Sequence, residues 1–197
     1  LSTENKTDMA LIGDGYFALQ NLNDNTVSFT RNGAFGLDEQ GFLTTADNHR
    51  VLGTPIFEND FGQTPDNIEA LQPIQIPSIK DDLVMSELEI AEDGRISARY
   101  GEQDPVPISS LTIGIFSNPI GLKELGNARF SATERSGLLT LGAPMDSGFA
   151  DLQVGGLEIS NVNITDELTA MIKAQQQFNG SARLMQANSD MVEKLTR

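Results

Sequence analysis

The sequence predicts a mainly β protein ending in one long α-helix: an antiparallel sandwich- or barrel-like body, then a helical arm. Three observations carry that expectation. Short apolar runs alternate with Gly-, Asn- and Asp-containing turns at spacings of roughly 8–12 residues, the pattern of an antiparallel β domain. Of 18 glycines, 17 precede residue 161, as do all eight prolines. Residues 1–160 hold 24 acidic and 9 basic side chains, whereas residues 161–197 hold four of each. The expected division is therefore a β-rich body over 1–160 and a helical arm over 161–197.

In chain order, Met9-Ala-Leu-Ile12 is an apolar strand candidate, Gly13-Asp-Gly15 a turn, and Tyr16-Phe-Ala-Leu19 a second strand. Val27 to Arg31 alternates, Asn32-Gly33 is a favoured hairpin dipeptide, and Ala34 to Leu37 is expected as its return strand. Asp38-Glu-Gln-Gly41 reads as another turn, followed by Phe42 to Thr45 and Arg50 to Leu52. Phe57 to Pro77 is polar and proline-bearing and reads as a long loop or small insertion. Glu87 to Ile90 and Arg95 to Ala98 flank Ala91-Glu-Asp-Gly94, a hairpin with glycine placed for positive φ. Ser110 to Phe116 is the most apolar strand candidate, stopped at Ser117-Asn-Pro119.

The tail is expected to be helical from an Asn163 cap, with Asp166 and Glu167 favourable against the helix dipole. Ile164, Leu168, Met171, Gln175, Phe178, Ala182, Met185, Ser189 and Val192 follow at alternating spacings of four and three, a heptad seam with polar interruptions. Such a seam requires a partner helix, so Ile164, Leu168, Met171, Gln175, Phe178, Ala182, Met185 and Val192 are the candidate assembly interface.

The formal charge of −15 argues against nucleic acid and against an anionic membrane surface. Without cysteine there is no disulfide, thiol nucleophile or thiolate metal site, and one histidine excludes a His-rich zinc site. No run approaches a membrane span. Gly13-Asp-Gly15 lacks the third glycine of a phosphate cradle. The pairs Asp38-Glu39, Asp81-Asp82 and Glu92-Asp93 read as solvated, each in a turn or at a strand edge, and His49, between Asn48 and Arg50, as a surface residue. No Gly-x-Ser-x-Gly elbow is present. Neither catalytic residue, cofactor nor metal is expected. The chain opens at Leu1 rather than Met, which suggests a fragment or processed form.

Four stretches together resemble the bacterial flagellar rod and hook family. Asp8-Met-Ala-Leu-Ile-Gly-Asp-Gly-Tyr-Phe17 resembles its D-x-A-I-x-G-x-G-F-F segment, with Gly13, Gly15 and Phe17 as matching positions. Thr30-Arg-Asn-Gly-Ala-Phe35, through Asp38, Gly41 and Leu43, resembles T-R-[DN]-G-x-F-x-x-D-x-x-G-x-L, with Arg31, Gly33 and Phe35. Leu111 to Phe116, then Asn118, Gly121-Leu122 and Gly126-Asn127, resembles L-x-x-F-x-N-x-x-G-L-x-x-x-G-x-N. Leu157-Glu-Ile-Ser-Asn-Val-Asn163, with Glu167-Leu168, Met171-Ile172 and Gln175, resembles the carboxy-terminal motif through Ser160, Asn161 and Val162. The chain departs from the family at Gln175-Gln-Gln-Phe-Asn179, which lacks a common arginine, and at Asp47-Asn48, where a glycine is common.

The resemblance implies a structural subunit that polymerises helically into the rod, distal rod first and hook next, and transmits motor torque. It implies an amino-terminal partner helix absent before Leu1, and a β body outside the helical tube that contacts neighbouring subunits. Implied partners are copies of itself, neighbouring rod and hook proteins and the flagellar type III export apparatus. The implied location is the basal body, in the periplasm-spanning rod. From the residues alone, a β-rich adhesin or carbohydrate-binding module on a helical stalk is the competing reading. Glycan binding without self-association would mark it.

Overall fold

The computed structural model describes residues 3, 5–56, 65, 67–158 and 164–195. Its strands begin with β1 (Met9–Ile12), β2 (Tyr16–Asn21), β3 (Val27–Thr30), β4 (Phe35–Leu37), β5 (Leu43–Thr45) and β6 (His49–Pro55). The middle of the chain supplies β7 (Gln72–Pro73), β8 (Ile79–Lys80), β9 (Leu83–Ile90), β10 (Arg95–Tyr100) and β11 (Val106–Leu111). β12 (Ile113–Phe116), β13 (Lys123–Gly126), β14 (Arg129–Ser131), β15 (Leu139–Gly142) and β16 (Asp151–Val154) follow, then α1 (Ile164–Leu195). The chain divides into two compact units, Leu1–Glu158 and Ile159–Arg197.

Within the first unit, the main antiparallel path runs β13-β14-β3-β2-β6-β11-β10-β9-β8, with β12, β15, β4, β5 and β7 branching from it. β1 and β16 form a separate antiparallel ribbon, with Met9 opposite Val154 and Ile12 opposite Asp151. The alternation of strand side chains decides where the core lies. In β2, Phe17 and Leu19 enter one buried cluster with Met9, Leu43, Ile96 and Ile113, while Ala18 enters a second with Phe29 and Phe116. In β6, Val51 and Leu52 divide between the clusters in the same way. Where both faces are covered, consecutive apolar residues replace alternation, as in Phe17-Ala-Leu19 and Val51-Leu52. Edge-to-face ring pairs reinforce each cluster: Phe17 on Phe35 at 5.1 Å, and Phe29 on Phe116 at 4.8 Å.

Several expected elements form as read. β9 and β10 make the hairpin across Ala91 to Gly94, whose φ is +83°. β4 and β5 pair across the Asp38 turn, where the Asp38 carboxylate accepts from the Gln40 and Phe42 amides at 2.9 and 2.8 Å. Asp81 and Asp82 form the two-residue β8–β9 turn with φ of +51° and +63°, a conformation short polar side chains tolerate.

Other expectations need correction. Asn32-Gly33 does not return β3 onto β4: β3 pairs with β2 and β14, and β4 pairs with β5. The run Ser110 to Phe116 is two strands, because the chain changes partners at Thr112. β11 pairs with β6 and β10, whereas β12 pairs with β2 and β15. Thr112 is buried at the break and its hydroxyl bonds that of Thr54 at 2.9 Å, so the polar group is satisfied. Of the stretch expected as a loop over 57–77, residues 57–64 and 66 lie outside the described residues. Its later part belongs to the core, since Ile74 and Ile76 are fully buried and β7 pairs with β6. The expected cap Asn163 lies outside the described residues.

Candidate functional site

Arg31 draws the separated motifs of the sequence to one place. It leaves the end of β3, and its Nη1 donates to the carbonyls of Gly13 and Gly15 at 3.0 and 3.2 Å. Its Nη2 donates to the Leu11 carbonyl at 3.4 Å. Nε and Nη2 meet the two carboxylate oxygens of Glu158 at 3.1 and 3.4 Å. A guanidinium suits this task because its donors are fixed in a plane and can grip a carboxylate with two bonds while others reach carbonyls. The pair is part-exposed, so its weight lies in geometry more than in energy. Glu158 is the last residue of the first unit. Its place in the Leu157-Glu158 motif does not by itself mark it as a site residue, because sequence order gives no sign that Arg31 reaches it.

The strand framework places that contact. β1 and β16 lie side by side, and Gly155 N donates to the Asp8 carbonyl at 2.8 Å. Chain leading into the body and chain leaving it are thereby held together. Gly33 sits against β1: Met9 N donates to its carbonyl at 3.0 Å, and a Cβ at Gly33 would lie 1.7 Å from the Met9 oxygen. Only glycine fits there. Gly13 has a φ of +119°, which turns the chain from β1 toward β2. Phe17 and Phe35, both buried, meet edge to face. Thus Gly13, Gly15, Phe17, Arg31, Gly33 and Phe35 share one neighbourhood, while Ser160, Asn161 and Val162 lie outside the described residues.

His49 corrects a reading made from its polar neighbours. It is the first residue of β6, faces inward with Val51, and is buried at 7% exposure. Strand alternation carried the missing signal: Arg50 points outward onto the Phe42 ring at 3.5 Å. The His49 Nδ1 lies 3.0 Å from the Asp47 carbonyl, and Nε2 faces an Arg129 Nη1. Because guanidinium nitrogens only donate, Nε2 is the acceptor and Nδ1 carries the proton. Arg129 Nε also lies 3.0 Å from the Asp47 carboxylate. Burial pushes the Asp47 carboxyl up, but the hydrogen bond from the Thr45 hydroxyl and the positive charge of Arg129 hold the group below its ordinary value. This cluster ties the β5–β6 turn to β14. Among the described residues, no cluster of three or more His, Cys, Asp or Glu side chains is placed to hold a metal.

The helical unit presents its candidate seam openly. Ile164 begins α1. Leu168, Met171, Phe178, Met185 and Val192 are 52–75% exposed, and Gln175 and Ala182 are exposed between them. Spacings of three and four place them on one stripe of the helix. Ile172, Leu184 and Met191 add exposed apolar surface beside or beyond it.

Comparison with known proteins matches these two regions separately. Residues 10–98 match the flagellar hook protein FlgE/F/G D1 domain, and residues 153–197 the flagellar basal body rod FlgEFG protein C-terminal family. The flagellar basal-body rod protein FlgG of Borreliella burgdorferi is 29% identical across 97% of this chain and 64% of its own length. FlgG of Bacillus subtilis is 32% identical across 98% of this chain and 66% of its own. The hook protein FlgE of Caulobacter vibrioides is 32% identical across 56% of this chain and 19% of its own. The chain spans a little under two thirds of the length of these rod proteins. On both regions, the chain belongs to the bacterial flagellar rod and hook protein family.

Proposed function

We propose that this chain is a structural subunit of the flagellar axial structure in the basal body. It polymerises helically with copies of itself into the rod, distal rod before hook, and carries motor torque along that rod. The observation that supports this most is the open apolar seam of α1, a 32-residue helix whose large apolar side chains are left in solvent. Burying each such side chain against a partner helix contributes roughly 1.5–3 kcal/mol, so the helix is suited to assembly. The Arg31–Glu158 contact supports the same reading, because it fixes the last residue of the body by a bidentate bond. Similarity to rod proteins along nearly the whole chain, against about half of it for the hook protein, favours rod over hook.

Its partners on this reading are its own copies, adjoining rod and hook proteins, and the flagellar type III export apparatus, which a cysteine-free chain suits. It catalyses no reaction, requires no cofactor, and binds neither nucleic acid nor membrane. Disrupting the gene and restoring it with a tagged copy tests the proposal. Motility and isolated rods should be lost, then recovered with the tag in the rod. A motile strain without the gene, or a tag outside the basal body, would refute it.

A further inference from the structure

The β1–β16 ribbon carries the chain into the body and out of it, yet among the described residues it shares no ladder with the main sheet. Asp8, just before β1, makes one isolated bridge to Ala34. Met9, Leu11 and Leu152 pack the ribbon onto the core. Apolar packing has no preferred direction, so it resists lifting of the ribbon better than sliding or rotation. Direction needs hydrogen bonds.

Those bonds come from the turn over residues 30–35. Asn32 N donates to the Thr30 hydroxyl at 3.0 Å, and Ala34 N to the Asn32 Oδ1 at 3.1 Å. The Thr30 hydroxyl in turn donates to the Ala128 carbonyl at 2.9 Å, so the turn is fixed on itself and on the chain entering β14. Its Gly33 and Phe35 carbonyls accept from Met9 N at 3.0 Å and from the Thr7 hydroxyl at 2.6 Å. Arg31 completes the grip. A guanidinium has five N–H donors, and Arg31 makes five bonds, one from Nε and two from each Nη. Three go to carbonyls of the incoming chain, at Leu11, Gly13 and Gly15, and two to Glu158 on the outgoing chain.

We infer that Arg31 is the positioning residue that couples the outgoing chain to the main sheet, so that torque reaching residue 158 passes through the guanidinium into β3. The inference rests on the axial role proposed above and names where the body takes up its load. Lysine carries a point charge with three donors in no fixed plane. It can hold the carboxylate or a carbonyl, but it cannot span the incoming and outgoing chains as the planar fork does. Exchanging the two charges would keep an ion pair yet leave the Leu11, Gly13 and Gly15 carbonyls without this donor. The carbonyl bonds thus separate the role of Arg31 from that of an ordinary surface salt bridge, which contributes little.

A protease that cleaves after glutamate reads the coupling in the purified chain, because a carboxylate held by Arg31 is withheld from it. Arg31→Lys should raise cleavage after Glu158 by about fivefold, the upper scale of a part-exposed ion pair. Cleavage after Glu39 and Glu102, both exposed in turns, should not change. In cells, Arg31→Lys chains should enter rods that turn normally at low load, and rotation should be lost as the viscosity of the medium rises. Arg31→Glu with Glu158→Arg should not restore it. Unchanged cleavage after Glu158, parent-like rotation under load, absence of the variant from rods the parent enters, or recovery on charge exchange would overturn the coupling and leave the axial role standing. If Arg31→Lys speeds cleavage at all three glutamates, the body itself has loosened and Glu158→Ala decides, since it leaves the three carbonyl bonds in place. Loss of rotation under load in that variant would support the coupling, and parent-like rotation would overturn it. Parent chains absent from basal bodies would overturn both the coupling and the axial role.

Discussion

The body and the helix solve the problem of apolar residues in opposite ways. The body hides them: Phe17, Leu19, Leu43, Val51, Ile96 and Ile113 have essentially no exposed surface, and long-range strand pairing fixes each of them. The helix keeps Leu168, Met171, Phe178 and Met185 in solvent. A closed core is satisfied within the body, whereas an apolar stripe left in solvent is, on the function proposed above, closed by a partner. Gly180, in the middle of the helix with open space around it, costs about 1 kcal/mol relative to alanine. The isolated helix is accordingly a marginal structure.

The largest expected effect comes from charging the seam. Leu168→Asp with Phe178→Asp should abolish filament growth and motility, since a charge buried without a partner costs several kcal/mol. The melting transition of the body should stay within about a degree of the parent, because Leu168 and Phe178 are exposed and belong to neither of its buried clusters. A seam variant that assembles normally, or one that unfolds the body, would break the division between the two regions.

The converse change lies in the body. Gly33→Ala forces a Cβ against the Met9 carbonyl, and relief requires β1 to move from its place on β16. Thermal unfolding should show a loss of several kcal/mol, the scale of a severe steric conflict, with far-UV helical signal from residues 164–195 retained. An unchanged transition would mean that β1 is not held as described.

A smaller effect sharpens the comparison through pH. The Asp47 carboxyl is held below its ordinary value in the folded body. Its contribution is therefore complete above the unfolded value near 4 and is lost as pH falls through the lower folded one. Asp47→Asn should lower body stability at neutral pH, and its gap from the parent should narrow as pH falls below about 4. A gap that widens in acid would reverse the assigned sign.

Much of this organisation was legible in the sequence, for physical reasons that also mark where legibility stopped. The helix was readable because its period is local, and the β9–β10 hairpin because Ala91 to Gly94 specifies its own turn. The partners of β3 and β4 were not, since Asn32-Gly33 has the local chemistry of a hairpin but Gly33 is there to let β1 pass. The break at Thr112 was hidden because an unbroken apolar run does not reveal a change of pairing partner. β13 and β14 went unread because the first is exposed throughout and the second only half-buried, leaving little alternation to read. At the site, Gly13, Gly15, Phe17, Arg31, Gly33 and Phe35 were legible from the motifs, yet the contact of Arg31 with Glu158 spans 127 residues of chain. Only the folded sheet brings those two together.

Residue-resolved amide exchange on the monomeric chain, repeated after assembly, tests the central claim most directly. In the monomer, amides of β2, β6, β11 and β12 should exchange slowly while those of residues 164–195 exchange close to the rate of an unprotected helix. After assembly, residues 164–195 should become protected and the strand amides should change little. Protection of the helix equal to that of the strands in a verified monomer would contradict the account, because the seam would then already be satisfied without a partner.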